Sequence, residues 1–229
     1  KLPPTQRSQD PWNEIKYIPL WGASYLSFGA SMRDRVESWK NFAWSTANND
    51  TFNLWDIFAH ADFHLSKNIR TFIELKSALS SNRNLPGGKR VLDEDQFALQ
   101  QAFVDVTGYP NSNSSITLRP GRQMFSFGKQ RMISPLPWAN TYRTWDGVSL
   151  IYTNNNYKVH AFGSQFVPVN RRKLNTANSR SKLNGVYITQ KGLRHNQDAY
   201  YINTQRAAQV FLNSAGGATA AFDNRHTLG

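Results

Sequence analysis

From Tyr25 onward the chain alternates apolar and polar side chains with a period of two. Leu26, Phe28, Ala30, Met32 and Val36 share one parity; Tyr25, Ser27, Gly29, Ser31, Arg33, Arg35 and Glu37 share the other. Strand side chains point to alternate faces, so this stretch predicts a strand with one apolar and one polar face. Arg33 and Arg35 then point the same way. Asp34 is the one charge on the apolar parity, and it falls near the far end, where a strand would leave hydrocarbon. Thr51 to Leu65 repeats the pattern, with Trp55, Ile57, Ala59, Ala61, Phe63 and Leu65 opposite Asp56, His60, Asp62 and His64. So does Ile69 to Leu79, where Ile69, Thr71, Ile73, Leu75 and Leu79 alternate with Arg70, Phe72, Glu74, Lys76 and Ala78. Ser66, Lys67 and Asn68 between them are a hairpin-length connection.

The later pattern is less regular. Ser80 to Asp95, containing Pro86-Gly87-Gly88, reads as a polar loop, and Phe97 to Val106 alternates poorly. Thr107 to Ser115 carries Pro110-Asn111 and reads as a turn. Ile116 to Phe127 reads as a strand, yet Arg119 and Arg122 fall on opposite parities, so either a bulge intervenes or one of them faces away. Ser134 to Thr144 is a loop. Trp145 to Tyr152 and Tyr157 to Val167 form a strand pair across Thr153-Asn154-Asn155-Asn156. Val169 to Leu183 is polar and basic. Shorter strands follow at Gly185 to Gln190 and Asp198 to Asn203, and a last one begins near Ala221 and is still running at Gly229. The expected organisation is an irregular segment over residues 1–20 and a sheet over 21–229. About ten strands result, and the first three reach the roughly 9–11 residues of a transmembrane strand. The lengths favour an antiparallel transmembrane β-barrel over a β-sandwich.

Composition changes the picture only in part. The apolar fraction is 39% and mean hydropathy is −0.58, values that fit a soluble protein or a barrel with one lipid-facing residue in two. No apolar run approaches the roughly 18–20 residues of a membrane helix, so a membrane-spanning reading requires strands. There is no cysteine, hence no disulfide or thiolate metal site. The start, Lys1-Leu2-Pro3-Pro4, is not a signal peptide. The net charge of +12 is unevenly placed: from Val106 to Gln197 there are 13 basic residues and one acid, Asp146. Such a stretch is either a set of solvated loops or an anion-attracting face.

The chain also resembles the alginate export family of outer-membrane porins. The resemblance is carried by Lys16-Tyr17-Ile18-Pro19-Leu20, Tyr25-Leu26-Ser27-Phe28-Gly29, Arg33-Asp34-Arg35 and His60-Ala61-Asp62-Phe63-His64-Leu65. Glu74-Leu75-Lys76-Ser77, Asp93-Glu94-Asp95, Gln101-Ala102-Phe103-Val104-Asp105 and Leu118-Arg119-Pro120-Gly121-Arg122-Gln123 follow in order. Then come Trp145-Asp146-Gly147-Val148 (where the family usually has Phe-Asp-Gly), Gly185-Val186-Tyr187, Tyr200-Tyr201 and Arg225-His226-Thr227-Leu228-Gly229. No single piece is specific; their collinear order is. The resemblance implies an outer-membrane barrel of about eighteen strands in a Gram-negative bacterium, of which this chain is the N-terminal part. It implies an electropositive lumen passing an anionic polysaccharide such as alginate, with outer-membrane lipid and possible periplasmic secretion-complex proteins as partners. It implies no cofactor and no enzymatic activity.

Arginine pairs with carboxylate in a bidentate fork, so a ladder of cations can hand a polyuronate from site to site. The candidate path residues are Arg33, Arg35, Arg70, Glu74, Lys76, Asp105, Arg119, Arg122, Arg143 and Asp146, with Asp105 and Asp146 as counter-charges. Arg70, Glu74 and Lys76 read equally as a structural salt-bridge ladder. Asp93-Glu94-Asp95 lacks EF-hand spacing and reads as a loop or strand cap. His60, Asp62 and His64 share a strand face but have no further ligand in view, so they read as polar lining rather than a metal site. Trp138, Trp145, Tyr200 and Tyr201 read as girdle or packing residues. A general or small-anion porin is the alternative. A nucleic-acid binder would need aromatics interleaved with basic residues on one exposed face, whereas the first strands set basic residues opposite an apolar stripe; a lipase would need Gly-x-Ser-x-Gly, which the sequence does not contain.

Overall fold

The computed structural model describes residues 11–85, 87–192 and 195–229. Eleven strands lie in one sheet in chain order: β1 (Ile18–Pro19), β2 (Tyr25–Trp39), β3 (Asp50–His64), β4 (Ile69–Ser81), β5 (Asp95–Asn111), β6 (Ser114–Gln123), β7 (Thr144–Thr153), β8 (Tyr157–Val167), β9 (Ser181–Gln190), β10 (Gln197–Leu212) and β11 (Ala218–Leu228). Every described register is antiparallel. The meander of long, two-faced strands is that of a transmembrane barrel segment. Within the N-terminal stretch read as irregular, Asn13–Lys16 form one helical turn and β1 pairs with the start of β2.

The chain forms two compact units. Unit 1 holds residues 1–104, 138–141 and 170–174; unit 2 holds the rest. In unit 1 the predicted faces are kept. Phe28, Met32 and Val36 of β2, Ile57 of β3, and Ile69, Ile73, Leu75 and Leu79 of β4 are exposed. Phe52, Leu54, Phe58, Lys76 and Ala78 on the opposite parity are buried. A soluble sheet would hide the first set and expose the second, so this inversion marks a lipid-facing exterior.

Connections alternate in length. Up to β10, those at 20–24, 65–68, 112–113, 154–156 and 191–196 are short and those at 40–49, 82–94, 124–143 and 168–180 are long; the last, 213–217, falls on the long-connection side but is short. A sequential antiparallel sheet gathers the first set at one end and the second at the other.

Several boundaries differ from the sequence reading; β9 begins at Ser181 rather than Gly185, β10 runs to Leu212 rather than Asn203, and β11 begins at Ala218 rather than near Ala221. The turn expected over Thr107 to Ser115 is only residues 112–113, because β5 continues through Pro110 to Asn111. Pro110 is exposed at the strand's end, where a missing N–H is tolerated. β5 was hard to read because its buried parity switches: Ala98 and Gln100 are buried, then Phe103 and Asp105, which marks an extra residue in the strand. β6 stops at Gln123 rather than Phe127. Phe125 leaves the sheet to join Ile133, Trp145, Phe162, Leu183 and Ile202 in the apolar cluster of unit 2.

Candidate functional site

In unit 1 the polar faces of β2, β3 and β4 form a continuous charged surface. Arg33 stands directly across from Asp56, and the two are ion-paired. Lys76 of β4 approaches the same carboxylate at 3.8 Å, stacked over the Phe58 ring at 4.2 Å. Arg35 binds Glu37 at 2.9 Å along its own strand. Arg70 grips Asp62 through two nitrogens, at 2.7 and 3.2 Å, and Asp62 also meets His64 at 3.2 Å. Glu74 accepts a hydrogen bond from the Gln101 amide at 3.0 Å. Arg70, Glu74 and Lys76 thus share a face but pair with other groups, not with one another. Asp62 of the His-x-Asp-x-His run is held by Arg70, and His60 and His64 pack on Phe72 and Tyr25.

A connection lies against this face. Arg33 donates to the Ala139 carbonyl at 2.8 Å and Arg35 to the Trp138 carbonyl at 2.7 Å. Next to them Asn140, 1% exposed, directs its amide nitrogen at the carbonyls of Trp55, Leu79 and Asp93, at 3.2, 2.9 and 2.8 Å. Residues 82–94 are anchored beside it. Arg83 is buried between the rings of Trp39 and Phe52, at 4.6 and 4.4 Å, and reaches Asp50 at 2.7 Å and Asp93 at 3.4 Å. Burial opposes ionisation of Asp93, but hydrogen bonds from the Arg90 side chain and backbone, with the Arg83 charge, outweigh it and hold its pKa below the ordinary value. The Asp93-Glu94-Asp95 run is therefore part of a loop anchor, with Glu94 bound to Lys89.

In unit 2, Arg119 and Asp105 form a two-point ion pair at 2.6 and 2.8 Å. Arg122 and Asp146 form another at 2.6 and 2.8 Å, and Arg122 also reaches the Asn175 carbonyl at 3.1 Å. The β6–β7 register is unbroken from Ser115 to Gln123. No bulge intervenes, so Arg119 and Arg122 do lie on opposite faces. Arg119 shares its face with Gln123 and Ser149. Arg122 and Asp146 share theirs with the exposed Leu118 and Val148. The two ion pairs therefore stand on opposite faces of β6.

Trp145-Asp146-Gly147 has a physical basis. A Cβ on Gly147 would lie 2.2 Å from the Gly163 carbonyl oxygen, so the close approach of β7 and β8 demands glycine there. Of the residues read as girdle or packing, Trp145 is a packing residue, buried against Phe125 and Phe166. Tyr200 packs on the same cluster, whereas Trp138 is exposed and Tyr201 hydrogen-bonds His226 at 2.7 Å.

Arg143 lies outside any strand, immediately before β7. It borders a cavity of about 410 Å³ together with Arg180 and Arg206, neither of which was singled out from the sequence. Residues 180 and 206 are distant along the chain, and only the β9–β10 register brings them together.

A comparison with known protein families matches residues 24–229 to the family described as Alginate export. No curated protein and no solved structure matches the chain.

Proposed function

The chain belongs to the alginate export family, and we propose that it forms part of the wall of an outer-membrane channel for an anionic polysaccharide. One observation carries the reading: long antiparallel strands with apolar side chains exposed on one face and ion-paired arginines, lysines and acids on the other. In hydrocarbon such strands satisfy every backbone group and still present a hydrophilic lining. The long connections would face outward and the short ones the periplasm, where proteins of a secretion complex would meet them. Arg33, Arg35, Arg70, Glu74, Lys76, Asp105 and Arg119 line the path. Segment 138–141, held by Arg33 and Arg35, narrows it.

Compensated charges suit passage. A carboxylate can exchange with Asp56 or Asp62 for an arginine fork without being trapped, and transport needs binding weak enough to release. The test is single-channel recording of the complete protein in a planar bilayer. Anion selectivity with reversible block by an oligouronate is expected. Cation selectivity would overturn the reading, and anion current indifferent to oligouronate would favour a small-anion porin.

A further inference from the structure

We infer that unit 2 holds a discrete carboxylate-binding pocket, formed by Arg143, Arg180 and Arg206 at the long-connection end of β7–β10, which engages a uronate residue of the polysaccharide. The identity of the ligand rests on the channel reading; the pocket stands on its own geometry. Its volume of about 410 Å³ lies within the roughly 300–1,000 Å³ of small-molecule sites.

The three arginines are positioned by backbone. The Arg143 N–H donates to the Pro135 carbonyl at 2.8 Å, and the Arg180 carbonyl accepts from the Ala207 N–H at 2.9 Å. The Arg180 N–H donates to Asn178 Oδ1 at 3.0 Å. Arg206 lies across from Ser181 on β9. Among the described residues, none of the three guanidiniums has an ion-pair or side-chain hydrogen-bond partner, and no acid lines the cavity. The acid in register with Arg206, Asp223 on β11, is held by Arg225 at 2.8 Å. The contrast with Arg33, Arg70, Arg83, Arg90, Arg119 and Arg122, all bound to carboxylates, is direct. Burial, and then repulsion from Arg206, lower the Arg143 pKa; an anion between the two relieves that repulsion. Trp145, Phe166 and Leu183 supply an apolar wall. A uronate ring has one carboxylate for the forks and a C–H face for the wall, so the pocket matches both halves of the sugar.

The test uses the full chain in detergent micelles, titrated calorimetrically with a uronate trisaccharide, its carboxyl-reduced neutral counterpart, and inorganic phosphate. Wild type is expected to bind the uronate and not the neutral sugar. Arg143→Gln with Arg206→Gln is expected to weaken binding tenfold or more, and Arg143→Lys with Arg206→Lys to recover part of it. Lys67→Gln, at an exposed cation in the short connection 65–68 and off the path, is expected to change it less than twofold. Phosphate bound as tightly as the uronate would overturn the sugar assignment. Uronate binding that survives the Gln pair unchanged would overturn the pocket and leave the channel reading standing. No uronate binding, together with no block in bilayers, would overturn both.

Discussion

Met32→Arg separates a lipid-facing strand from a soluble one. Met32 is the eighth of the fifteen residues of β2, 66% exposed, and directly across from Ile57. At about 3.4 Å per residue and a tilt near 40°, the seven residues on either side carry the strand roughly 18 Å along the membrane normal each way. That exceeds the half-thickness of about 12–15 Å, so on the channel reading a strand centred in the bilayer would place Met32 near the midplane. Arginine on the lipid face at that depth costs about 2–4 kcal/mol, a roughly 30- to 700-fold loss in the folding equilibrium. The same substitution on a water-exposed surface stays within about 0.5 kcal/mol. Ser31→Arg is the internal control: one residue away, across from Phe58 on the polar face, it is expected to cost less than about 1 kcal/mol because a lumen-side charge stays hydrated. Reversible urea unfolding in phosphatidylcholine vesicles, followed by tryptophan fluorescence, measures both. Equal costs for the two variants, or a Met32→Arg cost below about 0.5 kcal/mol, would refute the assignment of faces.

Three further outcomes test the anchoring of strands and connections. Gly147→Val forces a side chain into the Gly163 carbonyl and should destabilise the fold by about 2 kcal/mol or more, seen as a lowered urea midpoint. Asn140→Ala removes a buried amide that reaches three carbonyls; a loss of about 1–3 kcal/mol is expected, read as faster amide exchange confined to 82–94 and 138–141. The anchoring at Asp93 has a defined pH sense. Its carboxyl pKa is depressed in the fold, so its contribution is complete above the ordinary carboxylate value near about 4 and is lost as pH falls through the depressed one. It faces Arg90 from its own loop and Arg83, which also binds Asp50. Exchange protection of residues 87–94 should hold from neutral pH down to that range and collapse below it, and Asp93→Asn should remove the dependence.

The strands β2, β3 and β4 were legible because their alternation is uninterrupted and their two faces differ in chemistry throughout. β5 was blurred because the parity change between Gln100 and Phe103 superposes two opposite patterns. β10 was read as Asp198 to Asn203 but runs to Leu212, since polar Gln205 and Arg206 follow one another and the register shifts after Arg206. The polar ladder could be placed on faces from sequence, yet its partners could not be assigned. Arg70 meets Asp62 and not Glu74, a choice set by the diagonal geometry of β3 against β4.

Charge placement unites the ladder and the pocket. On the polar face of β2–β4, Arg33 and Lys76 share Asp56, Arg35 binds Glu37 and Arg70 binds Asp62. The excess of 13 basic residues over one acid between Val106 and Gln197 lies elsewhere. Lys129, Arg131 and Arg143 belong to connection 124–143, and Arg171, Arg172, Lys173 and Arg180 to connection 168–180. The two strand arginines in the stretch, Arg119 and Arg122, are both neutralised. An uncompensated guanidinium within a narrow, poorly hydrated wall would hold a carboxylate too tightly to release it. The same group at the rim is screened by water and salt, and there it raises the local concentration of anions without arresting them. On the channel reading, the ion-paired charges of β2–β4 and the arginines at the long-connection end, Arg143, Arg180 and Arg206, would therefore divide two tasks that one uniformly positive wall would set against each other.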